Sequence, residues 1–357
     1  MTNRFTGSYT VAVTPFSDDL TSIDTDRHKA FLDWQLEEGV PGIILLGTSG
    51  EFLTVSPSER SLLVSETVKH INGRIPVLVG TMNASTKIAV EQSIEARDLG
   101  ADGLMILPPY YYTPTDDEIY RYYEAIVGAT NLPIMLYNNP VTSNVDMSAE
   151  LVARLARDFA TISYIKESSR DIARVRDILN LAGTDITVYA GERVIESFLL
   201  GAEGYVNPYG NYVPRASAGI WNLLTAGRLD EAHQIDQLIK KLDAIIAAGH
   251  PTYGHQCYSK RLASRAGYPM GTVRPPLTTF AQLGAEGEAR LGRIGAIIDE
   301  LNELTQQIGL SSVHGAATSE SGTGLTGAWG AKPERSPIGI PVTRECISVS
   351  TGPQYRP

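Results

Sequence analysis

Short apolar runs recur along the first two-thirds of the chain, each followed by a longer stretch with helical periodicity. The runs are Tyr9–Thr14, Gly42–Leu46, Pro76–Gly80, Gly103–Leu107, Pro133–Tyr137, Thr161–Lys166, Ile186–Ala190 and Gly204–Asn207. Most are continuous rather than alternating, as in parallel strands covered on both faces. Between them, Ser56-Pro57-Ser58-Glu59 reads as an N-cap with proline at the first helical position. Ser148 opens another helix, whose Leu151, Leu155 and Phe159 share an inner face. Eight strand–helix alternations over about 220 residues predict an α/β chain folded as a (β/α)8 TIM barrel, with its site at the C-terminal strand ends. A doubly wound open sheet would want Gly-x-Gly-x-x-Gly after the first strand, and none stands there.

After the eighth strand the pattern turns helical over Gly227–Ala248, Gly254–Ala266 and Ala281–Ile308. From Gly309 onward Ser, Thr, Gly and Pro dominate and no apolar period survives. The expected organisation is a barrel over 1–225, a helical appendage over 226–308 and a disordered tail over 309–357.

Composition narrows the function classes. A net charge of −10 without basic clusters argues against nucleic acid or an anionic membrane as partner. No apolar run approaches a membrane span, and Met1-Thr2-Asn3-Arg4 is no secretory signal. Two cysteines, Cys257 and Cys346, make no disulfide framework, which fits a cytoplasmic protein.

Three strand ends carry chemistry. Thr161–Lys166 is an apolar run that ends on a lysine before Glu167-Ser168-Ser169. Burial there disfavours the ammonium, lowers its pKa and makes the amine a nucleophile toward a carbonyl carbon. A lone lysine would more often bend outward and solvate its head. Gly47-Thr48-Ser49-Gly50-Glu51 follows the second strand as a tight loop whose N–H groups and hydroxyls can converge on a carboxylate. Tyr137, before Asn138-Asn139-Pro140, can relay protons if it meets a hydroxyl and a second phenol. Pro108-Pro109-Tyr110-Tyr111-Tyr112 offers that phenol. His250, His255 and Cys257 match no zinc spacing and fall in the appendage rather than at the barrel mouth, so no metal site is expected.

Together these stretches resemble the dihydrodipicolinate synthase / N-acetylneuraminate lyase family, from about Gly7 to about Leu304. The resemblance rests on Gly-Thr-Ser-Gly-Glu, Tyr-Asn-x-Pro and Ile-Lys-Glu at three strand ends, with Gly191-Glu192 as a weaker fourth point. It implies a Schiff base between Lys166 and pyruvate or another 2-oxo acid, formed without metal or cofactor. Thr48 and Ser49 would hold the substrate carboxylate, with Thr48 also in the proton relay. Tyr137 would shuttle protons at the reacting carbon, and Gly191 and Val206 would line the pyruvate pocket. Tyr111 matches the tyrosine that family members lend across a dimer interface, which implies a dimer or a tetramer.

Two positions depart from the family pattern. Where the biosynthetic enzymes carry an arginine for the second substrate's carboxylate, this chain has Thr142, which supplies no guanidinium fork. At the feedback lysine site stand Pro57, Arg60 and Lys87. The chain therefore reads as an aldolase or dehydratase/deaminase on a 2-oxo acid. A 4-hydroxy-tetrahydrodipicolinate synthase of lysine biosynthesis and a non-catalytic 2-oxo acid-binding barrel are the alternatives.

Overall fold

The computed structural model describes residues 5–248 and 255–310. Its strands are β1 (Gly7–Val11), β2 (Ile43–Leu45), β3 (Val77–Gly80), β4 (Gly103–Ile106), β5 (Ile134–Asn138), β6 (Ile162–Glu167), β7 (Thr187–Ala190) and β8 (Gly204–Asn207). Each pairs in parallel with the next, and β8 returns to β1 to close the barrel. The helices between them are α1 (Thr25–Glu37), α2 (Pro57–Ile71), α3 (Thr86–Asp98), α4 (Asp116–Ala129), the short α5 (Pro140–Ser143), α6 (Ala149–Asp158), α7 (Ile172–Ala182) and α8 (Val194–Leu199). After β8 come α9 (Pro214–Thr225), α10 (Leu229–Ala247), α11 (His255–Arg265) and α12 (Gly284–Gln307). This is the TIM barrel with C-terminal helices that the alternating pattern predicts.

Local chemistry explains the element starts. Ser56 caps α2 in a reciprocal capping box with Glu59, with Pro57 at the first helical position. Ser148 caps α6 through Leu151 N, and the buried stripe of that helix includes Leu151 and Leu155. The barrel strands are buried almost without interruption, as their unbroken apolar text requires.

The largest boundary difference is in β1, expected at Tyr9–Thr14 and found at Gly7–Val11. Its partner β8 fixes the register, from Gly7 opposite Gly204 to Thr10 opposite Asn207. Val13 and Thr14 stay buried but leave the ladder for other acceptors. Val13 N donates to Asn211 Oδ1 (2.9 Å), and the Thr14 hydroxyl donates to Gly50 O (2.7 Å). In the appendage, α12 begins at Gly284 because Phe280–Leu283 forms a separate 3-10 turn capped by Thr279.

Two apolar clusters result, one filling the barrel and its inner helices, the other built around α9, α10, α11 and α12. Among the described residues no helix is long and apolar enough to cross a membrane. The tail expectation lies outside the described residues from 311 onward. The two tail residues that are described are ordered: Leu310 N donates to Thr305 O, and its side chain packs where Gly219 leaves room.

Candidate active site

The ends of β5, β6 and β7 set Tyr137, Lys166 and Tyr189 level with one another in the sheet. Lys166 is buried, and its Nζ lies 4.2 Å from the centroid of the Tyr137 ring. Among the described residues no carboxylate comes within ion-pair distance of it. A buried cation against a ring face, without a counter-charge, favours the arrival of an anion or a carbonyl oxygen.

The strand ends are held by the residues beside the chemistry. Asn138 Nδ2 donates to Glu167 Oε2 and to Asp146 Oδ1, each at 3.0 Å, and Asn138 Oδ1 accepts from Met147 N. Ser169 N closes on Glu167 Oε1, and Arg174 Nη1 and Nη2 reach Asp146 at 2.8 and 2.9 Å. Burial pushes the Glu167 carboxyl up, against the lowering from its bonds to Ser169 and Asn138. The asparagine of Tyr-Asn-x-Pro and the glutamate of Lys-Glu thus lock β5 to β6 and keep tyrosine and lysine adjacent.

A cavity of about 390 Å³ opens over these ends. Of the residues singled out in the sequence, Thr48, Ser49, Tyr137, Thr142 and Gly191 line it. Gly191 has to be glycine, because a Cβ there would fall 1.7 Å from Ser168 Oγ. Gly47 is constrained likewise, since a Cβ would sit 2.5 Å from a Val11 methyl. The Tyr137 hydroxyl accepts from Asn139 Nδ2 (2.8 Å), which leaves its own proton free to donate. Thr142 lies on α5, half-buried, with its hydroxyl on Asn139 O.

Three expected residues are not in the cavity wall. Lys166 does not line it and meets it through the ring of Tyr137, which does. Val206 is fully buried in the barrel core opposite Tyr9 and is not part of the cavity wall. Tyr111 is 81 % exposed, at φ +83°, stacked edge-on against Tyr112.

The structure corrects the placement of His255. It stands at the barrel mouth, in the cavity wall, with Nε2 3.4 Å from Ser49 Oγ. Burial first, then the charge of Lys166, lowers its pKa to about 4, so the ring is neutral at physiological pH. Its neighbour Gln256 donates from Nε2 to Thr48 O (3.3 Å), so α11 holds both hydroxyl residues of the loop after β2. His250 lies outside the described residues. Ser168 and Glu192, from the stretches after Lys166 and at Gly191-Glu192, also line the cavity, as do Arg170, Tyr209 and Asp243, which carry no motif that would mark them in the sequence.

Known proteins resemble this chain over most of its length. A model of the dihydrodipicolinate synthetase family matches residues 4–289. A 4-hydroxy-tetrahydrodipicolinate synthase of Cellvibrio japonicus is 36 % identical over 278 residues, 77 % of this chain and 93 % of that protein. One from Gluconacetobacter diazotrophicus is 34 % identical over 285 residues, 79 % of this chain and 94 % of that protein. Among solved structures, YagE, a prophage protein of the dihydrodipicolinic acid synthase family from E. coli K12, was crystallised with pyruvate. It superposes with a TM-score of 0.77 at 27 % identity, over 84 % of this chain and 99 % of that one. The chloride-inhibited dihydrodipicolinate synthase of Acinetobacter baumannii, also complexed with pyruvate, gives 0.76 at 29 % identity over 83 % and 99 %.

Proposed function

We propose, given that this chain belongs to the dihydrodipicolinate synthetase family and is a lyase of that family, that it cleaves or builds a 2-oxo acid through an imine on Lys166. The observation that carries this is the buried Lys166 amine, without a carboxylate partner among the described residues, set against the ring of Tyr137, which lines the cavity. The carboxylate of pyruvate or another 2-oxo acid docks on Thr48 and Ser49. As the lysine nitrogen attacks C2, two protons pass from it to the C2 oxygen, which leaves the carbinolamine as water and gives an iminium ion. In the cleavage direction the C4 hydroxyl gives its proton to the Tyr137 relay. The C3–C4 bonding pair flows into the iminium, an aldehyde leaves, and the enamine is protonated at C3. Water then releases pyruvate and the free amine. The electron sink is the imine itself, so no metal or cofactor enters the scheme.

Tyr111 fits the relay only from a second copy of the chain. Its exposure beside the equally exposed Tyr112 is what an interface arm would show in a single chain.

Borohydride added with pyruvate should fix an adduct on Lys166, read by intact mass and peptide mapping. An unlabelled protein, or labelling of another lysine, would overturn the assignment.

Thr142 separates this proposal from a lysine-pathway synthase, the name borne by the relatives. A bidentate charged contact is worth roughly 1.5–3 kcal/mol, about 10- to 150-fold in rate constant, and a threonine hydroxyl supplies little of it. Condensation of pyruvate with aspartate semialdehyde should therefore be weak and Thr142→Arg should improve it. The assay is coupled reduction of the product. Efficient condensation by the unaltered protein would make it a lysine-pathway enzyme.

A further inference from the structure

The helix α10 belongs to the appendage, yet one of its faces forms part of the cavity wall. Asp236, Ile239, Lys240, Asp243 and Ile246, spaced by three and four residues, all line it. Three of these five are ionic, where an amphipathic helix normally puts apolar side chains.

Charge pairing around the cavity leaves one member over. Arg170 pairs with Glu192 (3.2 Å), Arg193 with Glu196 (3.5 Å) and Lys240 with Asp236 (2.7 Å). Asp243 has no cation within ion-pair distance among the described residues. Among the described residues its partner is the Tyr209 hydroxyl, which donates to Oδ2 and leaves Oδ1 unclaimed. Tyr209 comes from the turn after β8 and lines the same cavity.

We propose that Asp243, held by Tyr209, is a specificity-determining acceptor that binds the hydroxyl groups on the aldehyde-derived tail of the substrate. This rests on the Lys166 imine proposed above. Two features favour a hydroxyl-bearing tail. A second carboxylate would meet the unpaired Asp243, with Glu192 and Asp236 close by. A hydroxyl can donate to Asp243 Oδ1, the oxygen that Tyr209 leaves open. An ammonium tail would pair with Asp243 and is the rival that the aldehyde panel tests. Burial, with Glu192 and Asp236 close by, brings the Asp243 carboxyl up to about 6, still ionised and accepting at neutral pH.

The test is aldol addition of pyruvate to glyceraldehyde, propanal, succinate semialdehyde and 3-aminopropanal, with borohydride trapping of pyruvate run in parallel. Glyceraldehyde should lead in kcat/KM. Asp243→Asn and Asp243→Ala should cut its kcat/KM by roughly 10- to 100-fold while leaving propanal within about threefold. Tyr209→Phe should move the profile in the same direction, less far. A flat aldehyde profile, or equal losses for glyceraldehyde and propanal, with Lys166 still labelled, would reduce Asp243–Tyr209 to a tie holding α10 on the barrel and overturn the proposal alone. Loss of labelling in the unaltered protein would instead remove the imine, and this subsite with it.

Discussion

Lys166→Ala is expected to abolish imine trapping and to lower turnover by roughly 10⁴-fold or more, while pyruvate still binds. The split follows from the division of labour at the mouth. In the proposed scheme Thr48 and Ser49 hold the carboxylate from the loop after β2, where Gln256 and His255 contact them. The nucleophile and the electron sink both come from the one amine. Removing it leaves a binding site with no route for the C3–C4 pair. Lys166→Arg should be as inert, because a guanidinium stays protonated and does not attack carbonyls. Lys166→Cys treated with bromoethylamine restores an amine of nearly the same reach and should recover part of the rate. Substantial turnover by the alanine variant, at matched purity, would dismiss Lys166 as the nucleophile.

The barrel was legible in the sequence because strands buried on both faces spell themselves as unbroken apolar runs. The end of such a run is also where an inward lysine or tyrosine stands out. Lys166, Tyr137 and the Thr48-Ser49 loop could be picked out on that ground, and the fold brings the three strand ends to one mouth. His255, Asp243 and Lys260 could not, for a common reason. Each sits on an appendage helix whose local pattern is that of any amphipathic helix, and its partner lies far away in sequence: Ser49 for His255, Tyr209 for Asp243, Glu51 for Lys260. One signal was present but incomplete. A glutamate in a glycine-bounded loop at a barrel mouth needs a buried cation somewhere, and the sequence does not say which.

That cation is Lys260, and its removal should produce the largest loss of stability. Lys260 Nζ lies 2.6 Å from Glu51 Oε1, with both side chains closed off from solvent. Glu51 also accepts from Arg274 N (2.9 Å), and Lys260 donates to Thr272 O (2.9 Å) and rests over the Phe16 ring. Burial drives both members toward their neutral forms, lowering Lys260 to about 8 and raising Glu51, while their mutual attraction opposes this in each. Such a pair adds little net stability over an apolar substitute, but breaking it from one side leaves an uncompensated buried charge. Lys260→Met, close in volume, should therefore cost about 3–5 kcal/mol of unfolding free energy. Glu51 holds a left-handed backbone at φ +55°, strain that the ion pair keeps in place at the end of the Thr48-Ser49 loop. The variant should accordingly raise the KM for pyruvate although Lys260 is not in the cavity wall. Glu51→Gln combined with Lys260→Met removes both charges and should regain much of the lost stability. Denaturant unfolding of the two single variants and the double variant measures that coupling. A Lys260→Met cost below about 1 kcal/mol, or a double variant at the sum of the singles, would show that the pair does not hold the loop.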